Sequence, residues 1–482
     1  MFVAREHELE AMERLYERAG FQMLVIYGRR RVGKTALIGR FCEGKRALTF
    51  MAQMRSDLGN LTEFSQRVYR FFDEPTSLPA FASWSDAFAH LAQKAGDERI
   101  VVAFDEFPLA AQANPSLPSL LQIAIDELFK NTNVYLILCG SNQGFMENEV
   151  LAYKSPLYGR RTGQLKLAPF DYLDAARMLP DVCAHDALLY YACMGGTPYY
   201  LSFVDQTASF EQNMRELFFD KTGLLYEEPD LLLRQELREP ALYSSILRSV
   251  AAGTTKPVQI AEKAGVERAS VMKYLRTLLD LHILRKRVPF GENPSTSRKG
   301  MYELEDPCFA FWYRMVAAHM ADIEADRGGL VAAQALRDER LSTYVGKRFE
   351  SVCAQWLSRQ ALAGALPIDA LAVGSWWGTD PQRRCQTDID VLAADEYTHS
   401  ALIGECKWRE GFDETQAVEG LRDKARLLRG WEVTDVYLFT KNEVSAATRA
   451  KYADDDTVHF VTMAQLYAGL GTEASGTGSG AA

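Results

Sequence analysis

Gly28-Arg29-Arg30-Arg31-Val32-Gly33-Lys34-Thr35 is the stretch on which the reading of this 482-residue chain turns. In front of it stands Met23-Leu24-Val25-Ile26-Tyr27, a continuous apolar run of the kind a strand buried on both faces needs. Behind it, Ala36-Leu37-Ile38-Gly39-Arg40-Phe41 reads as a helix. A chance match in a glycine-rich turn would lack those flanks. Strand, glycine-bounded loop ending in Lys-Thr, then helix is the setting in which the phosphate-binding loop has a mechanism. The two glycines let the backbone wrap an anion. The N–H groups of Gly28, Arg29, Arg30, Arg31, Val32, Gly33, Lys34, Thr35 and Ala36 are then expected to point at phosphates from the loop and the helix N-terminus. Lys34 is expected to reach the β- and γ-phosphates and Thr35 to ligate Mg²⁺, so ATP with Mg²⁺ is the anticipated cofactor.

Outward from the loop, Arg5-Glu6-His7-Glu8-Leu9-Glu10 opens a helix, and Ala47-Leu48-Thr49-Phe50-Met51 reads as a second strand. Ile100-Val101-Val102-Ala103-Phe104 ends in Asp105-Glu106. A buried strand of this kind delivers Asp105 beside the phosphate loop, where it can hold the water shell of Mg²⁺. Glu106 can take the proton of an attacking water as general base. The other reading, a strand followed by an acidic turn, weakens once Lys34 is paired with it. Asn133–Cys139 is a further buried strand ending in Gly140-Ser141-Asn142, where Ser141 or Asn142 either orients the water and senses the γ-phosphate or merely turns the chain. Arg160 and Arg161, in Tyr158-Gly159-Arg160-Arg161-Thr162-Gly163, can supply a transition-state cation in cis or to a neighbouring copy, and sequence does not distinguish them. A homo-oligomer or a partner protein is anticipated on that ground.

Together GRRRVGKT (28–35), FDEF (104–107), CGSN (139–142), LYGRRTG (157–163) and GGTPYYL (195–201) resemble the AAA+ fold of the STAND-related prokaryotic ATPases. More closely, the chain resembles the ATPase family in which that core precedes a C-terminal domain of unknown function with a nuclease-like pattern. The resemblance spans nearly the whole chain. It implies an α/β fold, with a P-loop AAA+ core over 1–170 and a helical lid over 171–238 that carries Gly195-Gly196-Thr197-Pro198 near the nucleotide. No counterpart of a lid sensor arginine stands out.

Residues 239–305 read as a winged helix-turn-helix. Ile246–Val250 lies in a first helix, Pro257–Ala261 starts a second, and Ala269–Leu278 is the recognition-type helix. Leu281–Val288 begins the wing, Gly291–Gly300 is its tip, and Met301–Leu304 returns as a strand. Lys273, Arg276, Arg285, Lys286 and Arg287 make it basic in an acidic chain, which suits phosphate contacts in a DNA groove. Protein contact or a rigid spacer is the other reading. Residues 306–345 are expected to be a helical connector.

Over 346–470 a helix from Gly346 through Leu357 precedes Thr387-Asp388-Ile389-Asp390 and Gly404-Glu405-Cys406-Lys407. This resembles the PD-(D/E)xK nuclease core, a restriction-endonuclease-like α/β domain, with Ile389 where proline would precede the aspartate. Strand alternation puts Asp388 and Asp390 on one face and Glu405 and Lys407 on one face. In an in-register hairpin Asp390, Glu405 and Lys407 converge. Asp390 and Glu405 could hold Mg²⁺, Lys407 could position the nucleophile, and Glu350 could add a ligand. The alternative is a hairpin with solvated charges. Residues 471–482 read as a flexible tail.

The net charge of −10 argues against a nucleic-acid coat without excluding a local basic face. Eight scattered cysteines with no CxxC pair fit reduced thiols and give no zinc site. No apolar run approaches the ~18 residues of a membrane span, and the first residues carry no apolar signal core, so a cytoplasmic protein is expected. The function expected is an ATP-hydrolysing AAA+ protein that couples nucleotide state to DNA through the winged helix and nuclease-like half. The alternative is a nucleotide-gated switch or transcriptional regulator whose nuclease-like module does not cleave.

Overall fold

The computed structural model describes residues 2–468; the tail expected at 471–482 lies outside them. The described residues form two compact units, one of residues 2–169 with Thr197–Tyr199, the other of Phe170–Gly196 with residues 200–468.

The first unit is built on five strands: β1 (Gln22–Tyr27), β2 (Ala47–Met51), β3 (Val101–Asp105), β4 (Tyr135–Gly140) and β5 (Gly163–Lys166). They lie in the order β2-β3-β4-β1-β5, and every neighbouring pair is parallel. A parallel sheet must be covered on both faces, and β1, β3 and β4 are accordingly buried along their whole length, with Gln22 and Asp105 the polar residues at their ends. On one face Met23 and Val25 pack into an aromatic core of Phe50, Phe64, Trp84, Phe88 and Phe104. On the other, Leu24 and Ile26 meet Leu37 and Phe41 of α1 (Lys34–Cys42). Covering helices at Asp57–Phe71 and Trp84–Ala95 start at Ser56 and Ser83, whose hydroxyls accept from Gly59 N and Asp86 N. Such caps contribute about 1 kcal/mol each. Because all strands run the same way, their C-terminal ends share one edge, where open α/β sheets place their ligands. The order puts β4 between β3 and β1, so the residue after β4 stands between the phosphate loop and the acidic strand end.

In the second unit, residues 170–196 and 200–237 are helical with several interruptions. Helices at Tyr172–Ala176, Ala184–Met194, Phe210–Phe218 and Glu228–Glu236 are separated by turns. Two of those turns are fixed locally: Asp205 accepts from Thr207 N, and Gly223 sits so close to Glu216 O (2.3 Å from an ideal Cβ) that no side chain fits. Three helices, Pro240–Ala251, Pro257–Ala264 and Val271–Asp280, precede an antiparallel pair, β6 (Leu284–Arg287) and β7 (Met301–Leu304). The third helix begins two residues later than the sequence suggested.

A 25-residue helix, α2 (Asp338–Leu362), starts at Asp338 and not at Gly346. Gly346 is tolerated mid-helix and lies against Trp408, 3.6 Å from an ideal Cβ to Trp408 Cβ. Beyond it lies a second five-stranded sheet: β8 (Ala372–Asp380), β9 (Cys385–Asp395), β10 (Ser400–Lys407), β11 (Glu432–Thr440) and β12 (Val458–Thr462). Its order is β12-β11-β10-β9-β8. The β8-β9-β10 part is an antiparallel meander and the β10-β11-β12 part is parallel. The parallel step from β10 to β11 needs a crossover, supplied by α3 (Glu414–Ala425).

Two candidate active sites

The phosphate loop is shaped by its two glycines and by Lys34. Gly28 approaches Leu167 so closely that an added Cβ would lie 2.3 Å from Leu167 O. Gly33 has φ 92° and caps α1 in a left-handed conformation that side chains resist. Lys34 is buried, and its Nζ donates to Gly28 O and Arg29 O, both at 2.9 Å, so the ammonium sits inside the loop it closes. Burial pulls its pKa down, while Cys139, Glu106 and Asp105 act the other way. Arg31, at φ 71°, lays its guanidinium over Tyr199, 4.7 Å from the ring centroid. Tyr199 belongs to the short segment, 197–199, that returns to this unit.

Thr35 Oγ1 donates to Asp105 Oδ2 at 2.7 Å. The other oxygen, Asp105 Oδ1, accepts from Glu106 N at 2.9 Å. Glu106 has φ 50° and ψ 41°. A left-handed non-glycine residue costs on the order of 1–3 kcal/mol and persists where its surroundings impose it. The Glu106 carboxylate is held by Ser141, whose Oγ donates to Glu106 Oε2 at 2.9 Å and whose N–H donates at 3.4 Å. Lys34, Thr35, Asp105, Glu106 and Ser141 are thus brought to one strand edge. A hydroxyl and a carboxylate, both hard oxygen donors, form a set that fits Mg²⁺.

Two expected residues are occupied elsewhere. Asn142 caps the turn that follows it, its Oδ1 accepting from Phe145 N at 2.9 Å. Arg160 makes a bidentate pair with Asp126, Nε to Oδ1 at 2.9 Å and Nη2 to Oδ2 at 2.6 Å, which holds it as a brace. Arg161 Nη1 donates to Leu151 O at 3.5 Å.

The second cluster lies in the C-terminal sheet. The β9/β10 register pairs Val391 with Gly404, so Asp390 and Glu405 come next along the hairpin. Asp390 Oδ2 accepts from Cys406 N at 2.8 Å. Glu405 accepts from Lys407 and, through Oε2, from Lys424 Nζ of α3 at 2.9 Å. Glu350 of α2 lies 3.6 Å from Arg287 of β6. Burial first, then repulsion from Glu405 and Glu350, pushes the Asp390 carboxyl up to about 7. Glu405 goes the other way: burial raises it, but Lys424 and Lys407 together bring it below its ordinary value. A divalent cation would relieve the repulsion on Asp390, and the donors are again hard oxygens. Among the described residues, however, no three His, Cys, Asp or Glu side chains stand arranged around a common point as a metal cage. Lys424 was invisible to motif reading, because its place depends on the crossover helix returning over β10.

A parallel five-stranded sheet with a phosphate loop after β1 and an acidic pair after β3 defines a P-loop ATPase. Comparison with known proteins agrees. A family described as an ATPase domain predominantly from Archaea matches residues 2–204, and one described as archaeal and bacterial proteins of unknown function matches residues 312–419. An uncharacterized protein of Methanocaldococcus jannaschii is 30% identical over 410 residues, covering 85% of this chain and 88% of that one. An uncharacterized ATP-binding protein of the same organism is 50% identical over 46 residues, 10% of this chain and 78% of its own. Among solved structures, the Walker-type ATPase of Pyrococcus abyssi aligns over 65% of this chain and 96% of its own, with 22% identity and a TM-score of 0.49. The Aeropyrum pernix ORC2 protein aligns over 67% and 94%, with 16% identity and a TM-score of 0.40. The chain belongs to the family of ATPases in which the archaeal-type ATPase domain precedes that C-terminal domain. No helix among the described residues is long and apolar enough to cross a membrane.

Proposed function

We propose that this ATPase is an AAA+-type machine in which ATP binding and hydrolysis at Lys34, Thr35, Asp105 and Glu106 control a nucleic-acid-processing half built from residues 239–470. The observation that carries the first part is the 2.7 Å hydrogen bond from Thr35 to Asp105, which ties the phosphate loop to the acidic strand end. When bound, Mg²⁺ on these two residues would neutralise charge on the β- and γ-phosphates. Lys34 supplies a second positive charge from inside the loop. Glu106, with one oxygen fixed by Ser141, turns the other toward the attacking water and takes its proton. Arg161, rather than the braced Arg160, is the candidate transition-state cation, in this chain or a neighbouring copy.

In the second half, residues 239–305 fit a winged helix that contacts nucleic-acid phosphates, and 338–468 fit a PD-(D/E)xK-like domain. The support for the latter is Asp390 held next to Glu405 with Lys407 and Lys424 alongside. Asp390 and Glu405 would hold Mg²⁺, which would polarise a phosphodiester. Lys407 stabilises the charge that develops on the phosphate oxygens. The test is a pair of variants of the purified full chain. Lys34→Ala should abolish Mg²⁺-dependent ATP turnover. Asp390→Asn should spare turnover and remove Mg²⁺-dependent strand cleavage. Normal ATP turnover in Lys34→Ala refutes the first assignment, and undiminished cleavage in Asp390→Asn refutes the second.

A second reading is favoured by Glu405, whose two oxygens are each engaged by a lysine. In that state the module grips a strand without cutting it, and ATP gates the grip.

A further inference from the structure

A cavity of about 290 Å³ opens beside Asp390, bounded by Arg287, Trp377, Gln386, Thr387 and Asp388. Asp390 and Glu350 also line it, so it adjoins the phosphodiester site, but its Trp377, Gln386 and Thr387 side has no part in that chemistry. In the β8/β9 register Trp377 stands opposite Asp388. Directly opposed residues of an antiparallel pair share a face, and Asp390, two residues on, shares it too. The indole and the two carboxylates therefore line the same side of the sheet. Trp377 is half-buried. The Arg287 guanidinium lies 4.9 Å from the centre of its ring, and that arginine's buried Nε makes no hydrogen bond, its approach to Glu303 Oε1 being 3.9 Å. The Gln386 amide nitrogen donates to Thr379 Oγ1 at 2.8 Å, which leaves the amide oxygen to accept.

These walls select an occupant. A half-buried indole with a guanidinium at the same cavity offers a planar ring both an aromatic and a guanidinium surface to stack on. Asp388, Asp390 and Glu350, which also line the cavity, repel a bare phosphate, which favours a flat and uncharged group. The volume sits at the low end of the ~300–1,000 Å³ of small-ligand sites, enough for one nucleoside and too little for a base pair. In a duplex, base faces are covered by their neighbours; only an unpaired base offers its ring to an aromatic side chain.

We propose that this cavity is a subsite for one unpaired nucleobase, adjacent to the phosphodiester held at Asp390, Glu405 and Lys407, and that it makes the C-terminal domain selective for single strands and frayed ends. The proposal rests on reading those three residues as a phosphodiester site. Its test reads binding and not cleavage, so the two can fail separately.

The full chain, with Ca²⁺ replacing Mg²⁺ to suppress cutting, is titrated against a labelled single-stranded DNA 12-mer, the blunt duplex of the same sequence, the matching RNA, and free deoxynucleoside monophosphates. The wild type should prefer the single strand to the duplex by at least about tenfold. Trp377→Ala should lose about tenfold or more of single-strand affinity, with duplex affinity, thermal midpoint and ATP turnover unchanged. Trp377→Phe, which keeps a ring, should retain most of the affinity. Equal or tighter binding of the RNA names RNA as the source of the base and leaves the subsite standing. Four results overturn it: no single-strand preference in the wild type, unchanged affinity in Trp377→Ala, equal loss of single-strand and duplex binding, or saturation by free monophosphates without strand binding. A wild-type chain that prefers single strands yet cuts none under Mg²⁺ or Mn²⁺ sinks the nuclease reading alone.

Discussion

Glu106 illustrates how much chemistry one residue can carry at a strand end. Its left-handed backbone turns the carboxylate toward Ser141 and away from Asp105, so two adjacent acids serve different partners. Glu106→Gln preserves the shape and removes the base. We expect ATP binding within about threefold of wild type and turnover reduced by about 10²–10⁴-fold, measured by nucleotide titration alongside steady-state phosphate release. Retained turnover would reassign the base. Lys34→Ala should behave differently and lose binding as well, because the ammonium also closes the loop through Gly28 O and Arg29 O. Arg160→Ala should lower the thermal midpoint by freeing Asp126 while turnover per folded molecule stays near wild type; Arg161→Ala should leave the midpoint and cut turnover. The loop, the acidic pair and Ser141 were legible in sequence because each occupies a fixed offset from an apolar run. The distinction between the two arginines was not, since it depends on Asp126, which is 34 residues from Arg160. The same holds for Asn142, whose cap bond forms only if the chain turns into helix at Gln143.

At the scale of elements, the β9–β10 hairpin was legible and its support was not. Alternation fixed which face Asp390, Glu405 and Lys407 take. Strand β8, with Gly374, Ser375 and Gly378 among its tryptophans, gives no clean two-residue rhythm, and α3 is largely polar because one face of it meets water. Lys424 and Trp377 come from those two elements. The hairpin also predicts a pH dependence. In the folded protein burial, then repulsion from Glu405 and Glu350, pushes the Asp390 carboxyl up to about 7, against an ordinary 3.8. Between those values the folded state holds a proton that the unfolded chain has released, so stability falls as pH rises through the window and stays lower above it. Asp390→Asn removes the ionisation. In EDTA its thermal midpoint should match wild type at pH 4 and exceed it at pH 8, by on the order of 5 °C. Adding Mg²⁺ at pH 8 should narrow that gap by stabilising the wild type. A midpoint for Asp390→Asn below wild type at pH 8 would mean the carboxylate is not under repulsion.

The whole molecule poses the question of coupling. The chain crosses between its two units three times, after Pro169, after Gly196 and after Tyr199. The middle crossing delivers Tyr199 to Arg31 in the phosphate loop and Pro198 to within 3.9 Å of an ideal Cβ on Gly33. Just before it, Gly196 is locked: an added Cβ would lie 1.8 Å from Phe170 O, and Gly196 O accepts from Phe170 N at 2.8 Å. Within the second unit, Asp171 then pairs with Arg359 of α2 at 2.8 Å, and Gln355 of the same helix bonds Tyr191 at 2.9 Å. That helix carries Glu350. The chain between Gly196 and Tyr199 thus links the segment beside the phosphate loop to the Phe170–Asp171 turn, which is tied by an ion pair to the helix that carries Glu350. If the route carries energy, linkage demands reciprocity: whatever factor a non-hydrolysable ATP analogue applies to the affinity for a single-stranded oligonucleotide, the oligonucleotide must apply to the affinity for the analogue. A factor of about 5–150 corresponds to the usual 1–3 kcal/mol of coupling. Both titrations are done on one preparation. Arg359→Gln, which cuts the tie at Asp171 without touching either site, should bring both factors toward one while leaving each ligand's affinity alone unchanged. Equal factors in wild type that persist in Arg359→Gln would place the coupling elsewhere, and factors of one in the wild type would make the two halves independent.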